Sequence, residues 1–400
     1  MTVFDSLGVR TIINAKGPAT RLSGGRMRPE VADAMADASG HCVDMAELQA
    51  AASKAIAQAT GAEAGYVASG ASACLLLAAA ATMTGLDPGR MARLPDTTGM
   101  KNEIIMVRSQ RNFYDHAIRA AGARIVEVGL PDRYAGAGVR DAEPWELEDA
   151  IGERTAAIFY VADTEAQPPL VEVATLARIH ALPLIVDAAA QLPPQANLKR
   201  FIAEGASLVA YSGGKALGGP QASGILAGRR DLIMAAALQH LDLDIYRDLW
   251  QPPESLIDKR KLKGTPPHGI GRSCKAGKEE IVGLLTALRL FIDEGDAARH
   301  ARWLDILDTL ASAMGAIAGS RAELEGEEDT GAVPQLVVTL GRAGAATRVI
   351  TELLKGQRPI HVDPARRARN QIVINPMCMA PEDARIAGTR IGAVIRDYGS

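Results

Sequence analysis

Two short segments carry the residue types with the clearest chemistry. PLIVD (Pro183–Asp187) and SLVAYSGGKALGGP (Ser207–Pro220) each read as a buried strand with a polar group at its end. Asp187 closes the first, and Lys215 follows the second by a few residues. Ligands of open α/β sheets sit at the carboxyl ends of strands, so the two segments predict an aspartate and a lysine at one sheet edge. That pair meets the needs of pyridoxal 5′-phosphate (PLP). The lysine ε-amine forms a Schiff base with the cofactor, and the carboxylate keeps the pyridine nitrogen protonated so that the ring accepts electrons from a substrate carbanion. Gly213, Gly214, Gly218 and Gly219 flank Lys215 and permit close approach of a ring. Ser212 offers a hydroxyl to the cofactor phosphate. The same local sequence also describes a surface lysine in a glycine-rich turn, so the rest of the chain has to decide.

A second segment, VASGASAC (Val67–Cys74), reads as a strand end, a turn of small residues and a helix start. Free N–H groups and the dipole at a helix start bind phosphate, so Ser69, Gly70, Ala71 and Ser72 are expected to cradle it; an ordinary N-cap is the alternative. In RNFYDHAIRAAGARIVEVG (Arg111–Gly129), His116 opens a helix just after a strand. It is placed to stack on the cofactor ring and to move protons near neutral pH, or to serve as a capping or core histidine. Gln191, one turn beyond Asp187, is expected at the ring hydroxyl or the substrate. Glu165, after another strand end, is an acid/base candidate. A purely structural role is open to both.

The surrounding elements are those that would position such residues. Residues 1–60 read as an extended arm followed by helices, among them Met45–Thr60. From 61 to about 235, β-rich runs (Gly65–Ala68, Glu103–Val107, Arg124–Val128, Ala156–Val161, Pro183–Val186, Leu208–Tyr211, Gly224–Leu226) alternate with helical ones (Ser72–Met83, Asp115–Ala121, Val173–His180, Asn197–Glu204). This alternation predicts an α/β fold with a mostly parallel sheet covered on both faces. Pro252, Pro253, Pro266 and Pro267 mark a linker or active-site loop over 240–270. The remainder predicts a smaller α+β domain: helices Lys278–Glu294 and Ala298–Met314, strand Val333–Leu340, helix Ala345–Leu354, strand Gln371–Ile374 and helix Pro381–Arg396. The expected division is 1–60 as arm and helices, 61–255 as the PLP-binding domain and 256–400 as the small domain.

Composition narrows the function classes. With 400 residues the chain is too long for one core, and 48% apolar with 23% charged residues is a globular balance. Lys and Arg number 44 against 47 Asp and Glu, a net charge of −3, which supplies no general attraction to nucleic acid or an anionic membrane. No apolar run is long enough for a membrane span, and the first residues lack a signal-peptide pattern. Cys42, Cys74, Cys274 and Cys378 lack C-x-x-C spacing, so reduced thiols in a cytoplasmic protein are expected, with no metal site.

The motifs together resemble a known family. SGGKALGGPQASGILAG is similar to the lysine segment of bacterial selenocysteine synthase and its relatives, and INAKGPATRL (Ile13–Leu22), TGAEAGYVASGAS, RAAGARIVEVG and LIVDAAAQLPP fit the same group. DTTGMKNEIIMVRSQRNFYDHA (Asp96–Ala117) and GRSCKAGKEEIVGLLTAL (Gly271–Leu288) resemble one branch, the D-glucosaminate and D-glucosaminate-6-phosphate ammonia-lyases. The resemblance implies the fold-type-I PLP-dependent transferase fold with a seven-stranded sheet, in a homodimer or larger assembly with active sites at subunit interfaces. It implies Lys215 as the Schiff-base lysine, Asp187 as the pyridine partner, His116 as the stacking residue and Ser69–Ser72 as part of the phosphate cup. It also places the Asn14–Thr20 arm and the Arg272–Lys278 segment near the active site.

The expected function is therefore a PLP-dependent ammonia-lyase (dehydratase). It would act on a small-molecule substrate, a hydroxylated amino acid or amino-sugar acid, and release a 2-keto acid and ammonia by α,β-elimination. Lys215 is the expected base, with a nearby acid assisting the leaving hydroxyl. Arg272, Lys275 and Lys278 are candidates for holding a substrate carboxylate or phosphate, with Thr20 in the arm; Arg366 and Arg367 are alternative carboxylate holders. An aldolase, a racemase or a β-replacement enzyme would use the same lysine. Work on a charged tRNA would need a basic surface that the net charge does not provide.

Overall fold

Aliphatic runs bounded by glycine and polar turns form the strands. The computed structural model describes residues 2–130, 141–266 and 268–399; Pro267 of the expected loop lies outside them. The strands in chain order are β1 (Ile13–Ala15), β2 (Ala64–Ala68), β3 (Glu103–Val107), β4 (Arg124–Val128), β5 (Thr155–Val161), β6 (Leu184–Asp187), β7 (Leu208–Ser212), β8 (Gly224–Gly228), β9 (Arg321–Glu325), β10 (Gln335–Thr339), β11 (Ile360–Val362) and β12 (Gln371–Ile374). The chain divides into a larger unit, Pro29–Leu192 with Ala196–Arg289, and a smaller one, Met1–Arg28, Pro193–Gln195 and Leu290–Ser400.

β2 to β8 make one seven-stranded sheet in the order β2-β8-β7-β6-β5-β3-β4. β8 is antiparallel to both of its neighbours, and the other pairs are parallel. The carboxyl ends of β2, β7, β6, β5, β3 and β4 therefore share one edge. The interior strands are apolar along their middles because both faces are covered: Ile185, Val186, Val209 and Ala210 have no exposed surface. Helix Ala71–Thr84 is apolar on every side, and residues 77–81 of it are fully buried. Its alanines let it lie close between the sheet and helix Arg230–His240.

This partition differs from the boundaries expected at 60/61 and 255/256. Residues 29–60 and 256–289 group with the sheet. An edge strand presents a row of unpaired backbone groups. Helix Met45–Thr60 satisfies those of β2 with side chains: Gly65 N donates to Ser53 Oγ (3.0 Å), Val67 N to Gln49 Oε1 (3.1 Å), and Gln49 Nε2 to Val67 O (2.8 Å). Farther along, Ile270 N donates to Gln239 Oε1 (3.1 Å) and Ser69 N to Cys274 O (3.1 Å), tying 270–274 to the same unit.

In the smaller unit β9, β10 and β12 form an antiparallel sheet and β1 pairs in parallel with β11. Trp303, Leu307, Leu310, Val349, Ile391 and Ile395 lie in its core. Gly295 (φ 70°, ψ 167°) breaks the helical stretch Lys278–Met314 between the two expected helices. No described helix is long and apolar enough to cross a membrane.

Candidate active site

The site begins where β6 and β7 end. Asp187, the last residue of β6, is 7% exposed, and its Oδ1 accepts the Ala189 N–H (3.0 Å). Register places it beside Val161 of β5 and Ala210 of β7. After Ser212 the chain folds into a tight turn. Gly213 N donates to Ser223 O (2.9 Å), Gly219 N to Gly213 O (2.9 Å) and Gly218 N to Lys215 O (3.0 Å). Gly218 takes φ +71°, and a Cβ on Gly213 would lie 2.1 Å from Ser223 Oγ, so the turn needs glycine at both places. Half-buried Lys215 is presented at its centre.

Burial pushes the Asp187 carboxyl above its usual range, while the Ala189 N–H and the Lys215 charge pull it back. Burial likewise pulls the Lys215 ammonium below the usual lysine range, against the Asp187 charge. Each is felt by the other, so both face one environment. An amine made easier to deprotonate is a better nucleophile and base.

The second element is the turn after β2. Gly70 (φ 138°) caps helix Ala71–Thr84 with no side-chain cap. The first intrahelical bond is Cys74 N to Gly70 O (3.0 Å), so the amides of Ala71, Ser72 and Ala73 have no intrahelical acceptor. Gly224 pairs with Ala68 on one side and Ser212 on the other, which joins this turn to the lysine turn across one strand. A Cβ on Gly224 would meet Gly70 C at 2.3 Å and Ala71 N at 2.6 Å. Gly224→Ala should therefore displace the cradle and weaken PLP binding by about 10-fold or more, a loss on the scale of one or two charge-assisted hydrogen bonds, read by titration of apoprotein with PLP. Unchanged affinity would remove the 69–72 turn from phosphate binding.

The other expected residues fall differently. His116 sits in the first turn of helix Asp115–Ala120, which packs on helix Ala71–Thr84, and its side chain is exposed. Glu165 is exposed in the turn after β5. Gln191 Nε2 donates to Ala162 O (2.7 Å), tying the β6 turn to β5 and leaving Oε1 as its acceptor. Arg272 is partly committed, with Nη1 to His240 O (3.0 Å) and Nη2 to Asp242 Oδ2 (3.2 Å). With exposed Lys275 it lines a cavity of ≈ 510 Å³ that also meets Gln49, Asp242 and Glu280. Lys278 pairs with its neighbour Glu279.

In the smaller unit Thr20 and Arg367 are exposed. Arg366 is not free to hold a substrate: both of its terminal nitrogens bond Glu325 (2.6 and 2.8 Å). Asn14 is buried and donates to Gly17 O (3.1 Å) and Gly24 O (2.8 Å), which is a structural role.

Sequence reasoning missed His240. It is 3% exposed at the end of helix Arg230–His240, between Tyr66 Oη and Cys274 O. Its only signal was an imidazole closing an otherwise apolar alanine-rich run, LIMAAALQH.

These features fit PLP. A buried carboxylate stands ready for a pyridinium, an amine of depressed pKa lies in the same environment, and helix-start amides without intrahelical acceptors sit one strand away for the phosphate. Fold and site define a fold-type-I PLP-dependent enzyme. The chain belongs to the SelA family, described as L-seryl-tRNA selenium transferase, whose profile matches residues 44–245. A D-glucosaminate-6-phosphate ammonia lyase of Salmonella typhimurium is 34% identical over 82% of this chain and 79% of its own. A 5′-C-glycyluridine monooxygenase-decarboxylase of a Streptomyces species is 30% identical over 99% of this chain and 92% of its own. A solved D-glucosaminate-6-phosphate ammonia-lyase structure superposes with TM-score 0.81 at 30% identity, covering 100% of both chains.

Proposed function

We propose that the chain is a PLP-dependent carbon–nitrogen lyase that converts a 2-amino-3-hydroxy acid of the amino-sugar-acid type into a 2-keto-3-deoxy acid and ammonia. The observation that carries this reading is the Asp187–Lys215 pair at the carboxyl edge of the sheet, in a chain so similar to an ammonia-lyase. PLP, when bound, supplies an electron sink for the pair left on the substrate α-carbon.

Asp187 would keep a proton on the pyridine nitrogen, a contact that its burial would strengthen by excluding water. Lys215 takes the α-proton; its depressed pKa lets the free amine serve as base below the pH at which an ordinary lysine would. The amides at Ala71–Ala73, with Ser69 and Ser212, would hold the cofactor phosphate. His116 would cover the ring, and Gln191, through its Oε1, would be the partner of the ring hydroxyl. Glu165 protonates the departing β-hydroxyl, and the water lost there is regained when ammonia is released. Arg272 and Lys275 hold the substrate's anionic group. Asp242 and Glu280 in the same cavity reduce its net positive charge, which favours a carboxylate over a dianionic phosphate there. The proposal includes a homodimer in a reducing, cytoplasmic setting, in keeping with free thiols at all four cysteines and with exposed Phe113 and Tyr114.

The test is a screen of D- and L-hydroxy amino acids and amino-sugar acids, phosphorylated and not, read by ammonia and keto acid in equal amounts. Arg272→Ala should raise KM for the active compound by about 10-fold or more and change kcat less, the pattern of lost ground-state binding. The full-length likeness to a monooxygenase-decarboxylase supports a second reading, in which O2 is consumed and CO2 released. Oxygen-electrode and CO2 measurements on the same screen separate the two. Filter binding of charged tRNA tests the selenium-transferase activity after which the family is described.

A further inference from the structure

His240 is tied to the residues on either side of the phosphate turn. Its ring meets Tyr66 edge-on, with centroids 5.2 Å apart and planes at 81°. Tyr66 Oη lies 2.9 Å from Nδ1, and Cys274 O lies 2.9 Å from Nε2. A carbonyl can only accept, so Nε2 carries the proton and Nδ1 accepts the tyrosine hydroxyl. Burial, the largest influence, holds the imidazole down to about 4 and keeps it neutral at physiological pH. The Cys274 carbonyl that receives Nε2–H also receives Ser69 N–H (3.1 Å), and the His240 carbonyl receives Arg272 Nη1 (3.0 Å). Tyr66 lies in β2, the strand that leads into the turn. One imidazole therefore fixes the acceptor on which the first residue of the phosphate turn hangs.

We propose that His240, as its Nε2–H tautomer, is a positioning residue that sets the Ser69–Ser72 turn for the cofactor phosphate through the Cys274 carbonyl. Both of its ring nitrogens are taken, by Tyr66 and by Cys274, so it acts through those partners. The inference rests on the reading that this turn holds the phosphate, so its test must separate the two. It would do so by comparing PLP with pyridoxal, which lacks the phosphate.

His240→Leu removes the donor and should weaken PLP binding to apoprotein by about 10-fold while changing pyridoxal binding little, the scale of a lost buried hydrogen bond with its partner left unpaired. His240→Gln, which can still reach the carbonyl with its side-chain N–H, should restore most of the PLP affinity. Tyr66→Phe, a milder change that removes only the donor to Nδ1, should produce a smaller loss in the same direction.

If Gly224→Ala discriminates PLP from pyridoxal and His240→Leu does not, the proposal is overturned while the phosphate reading stands. If neither variant discriminates, both fall. The ¹⁵N spectrum of histidine-labelled wild-type holoenzyme, with the His240 signal assigned by its loss in His240→Gln, gives a readout that needs only this conservative variant to fold. Protonated Nε2 with hydrogen-bonded Nδ1 supports the assignment, and a proton on Nδ1 at neutral pH overturns it.

Discussion

Lys215→Ala should lower kcat by at least about 1,000-fold, since one side chain serves as both cofactor anchor and general base. The visible absorbance of lysine-linked PLP should vanish in the same variant, while the protein stays folded. The turn around Lys215 is held by backbone bonds among Gly213, Gly218, Gly219 and Ser223, none of which uses the lysine side chain. No described residue hydrogen-bonds its Nζ, and buried Asp187, which loses the lysine's charge, can take up a proton instead. Loss of activity with normal thermal unfolding would therefore report chemistry and not collapse. A small primary amine added to the variant should recover part of the turnover, because it restores an amine without the side chain. Turnover in Lys215→Ala near the wild-type level would remove the lysine from its role.

The strands that present the candidate site were legible because Asp187 ends one of them and Lys215 closely follows the other, where a short apolar run and the residue that stops it are visible together. LIVD and LVAYS are read correctly for that reason, and the seven strands of the large sheet follow the same pattern. Helix Arg230–His240 was not legible: both of its faces are buried, so it has no polar side to mark its period. β9 (RAELE) is a largely exposed strand whose alternation rests on only two apolar residues, Ala322 and Leu324, too short a pattern to reveal it.

Commitments between side chains distant in sequence were also invisible. Arg366 and Arg272 look equally suited to hold an anion as residue types. Only the fold shows that Glu325 has taken one of them through both terminal nitrogens, while His240 and Asp242 orient the other beside a cavity. Gln49 reads as an ordinary helix residue until β2 is seen to need a partner along its open edge. The same limit explains the domain boundaries: a helix that completes a sheet through its side chains carries no sequence mark of belonging to it.

Asp187→Asn should separate activity from stability. Turnover should fall by about 100- to 1,000-fold, the cost of removing one preorganised charge from a water-poor site, while PLP still binds. Apoprotein stability should move the other way. Burial raises the Asp187 pKa, and the Ala189 N–H and Lys215 offset it only in part. A group whose folded pKa exceeds its unfolded value gives its full stability only below the unfolded value, about 4 for aspartate, and that contribution is lost as pH rises through the folded value. Asparagine does not titrate. The variant apoprotein should therefore melt above wild type at about pH 8, with the gap closing as the pH falls toward about 4. Lys215 loses its partner in the same variant, but it is only half-buried and can release its proton, so the opposing effect is the smaller one. A buried carboxylate kept at a cost in stability is what a cofactor contact requires and what a structural residue would not show. Thermal unfolding of both apoproteins across that pH range, beside kcat for the loaded forms, decides it: a variant less stable at alkaline pH, or one as active as wild type, would sink the pyridine pairing.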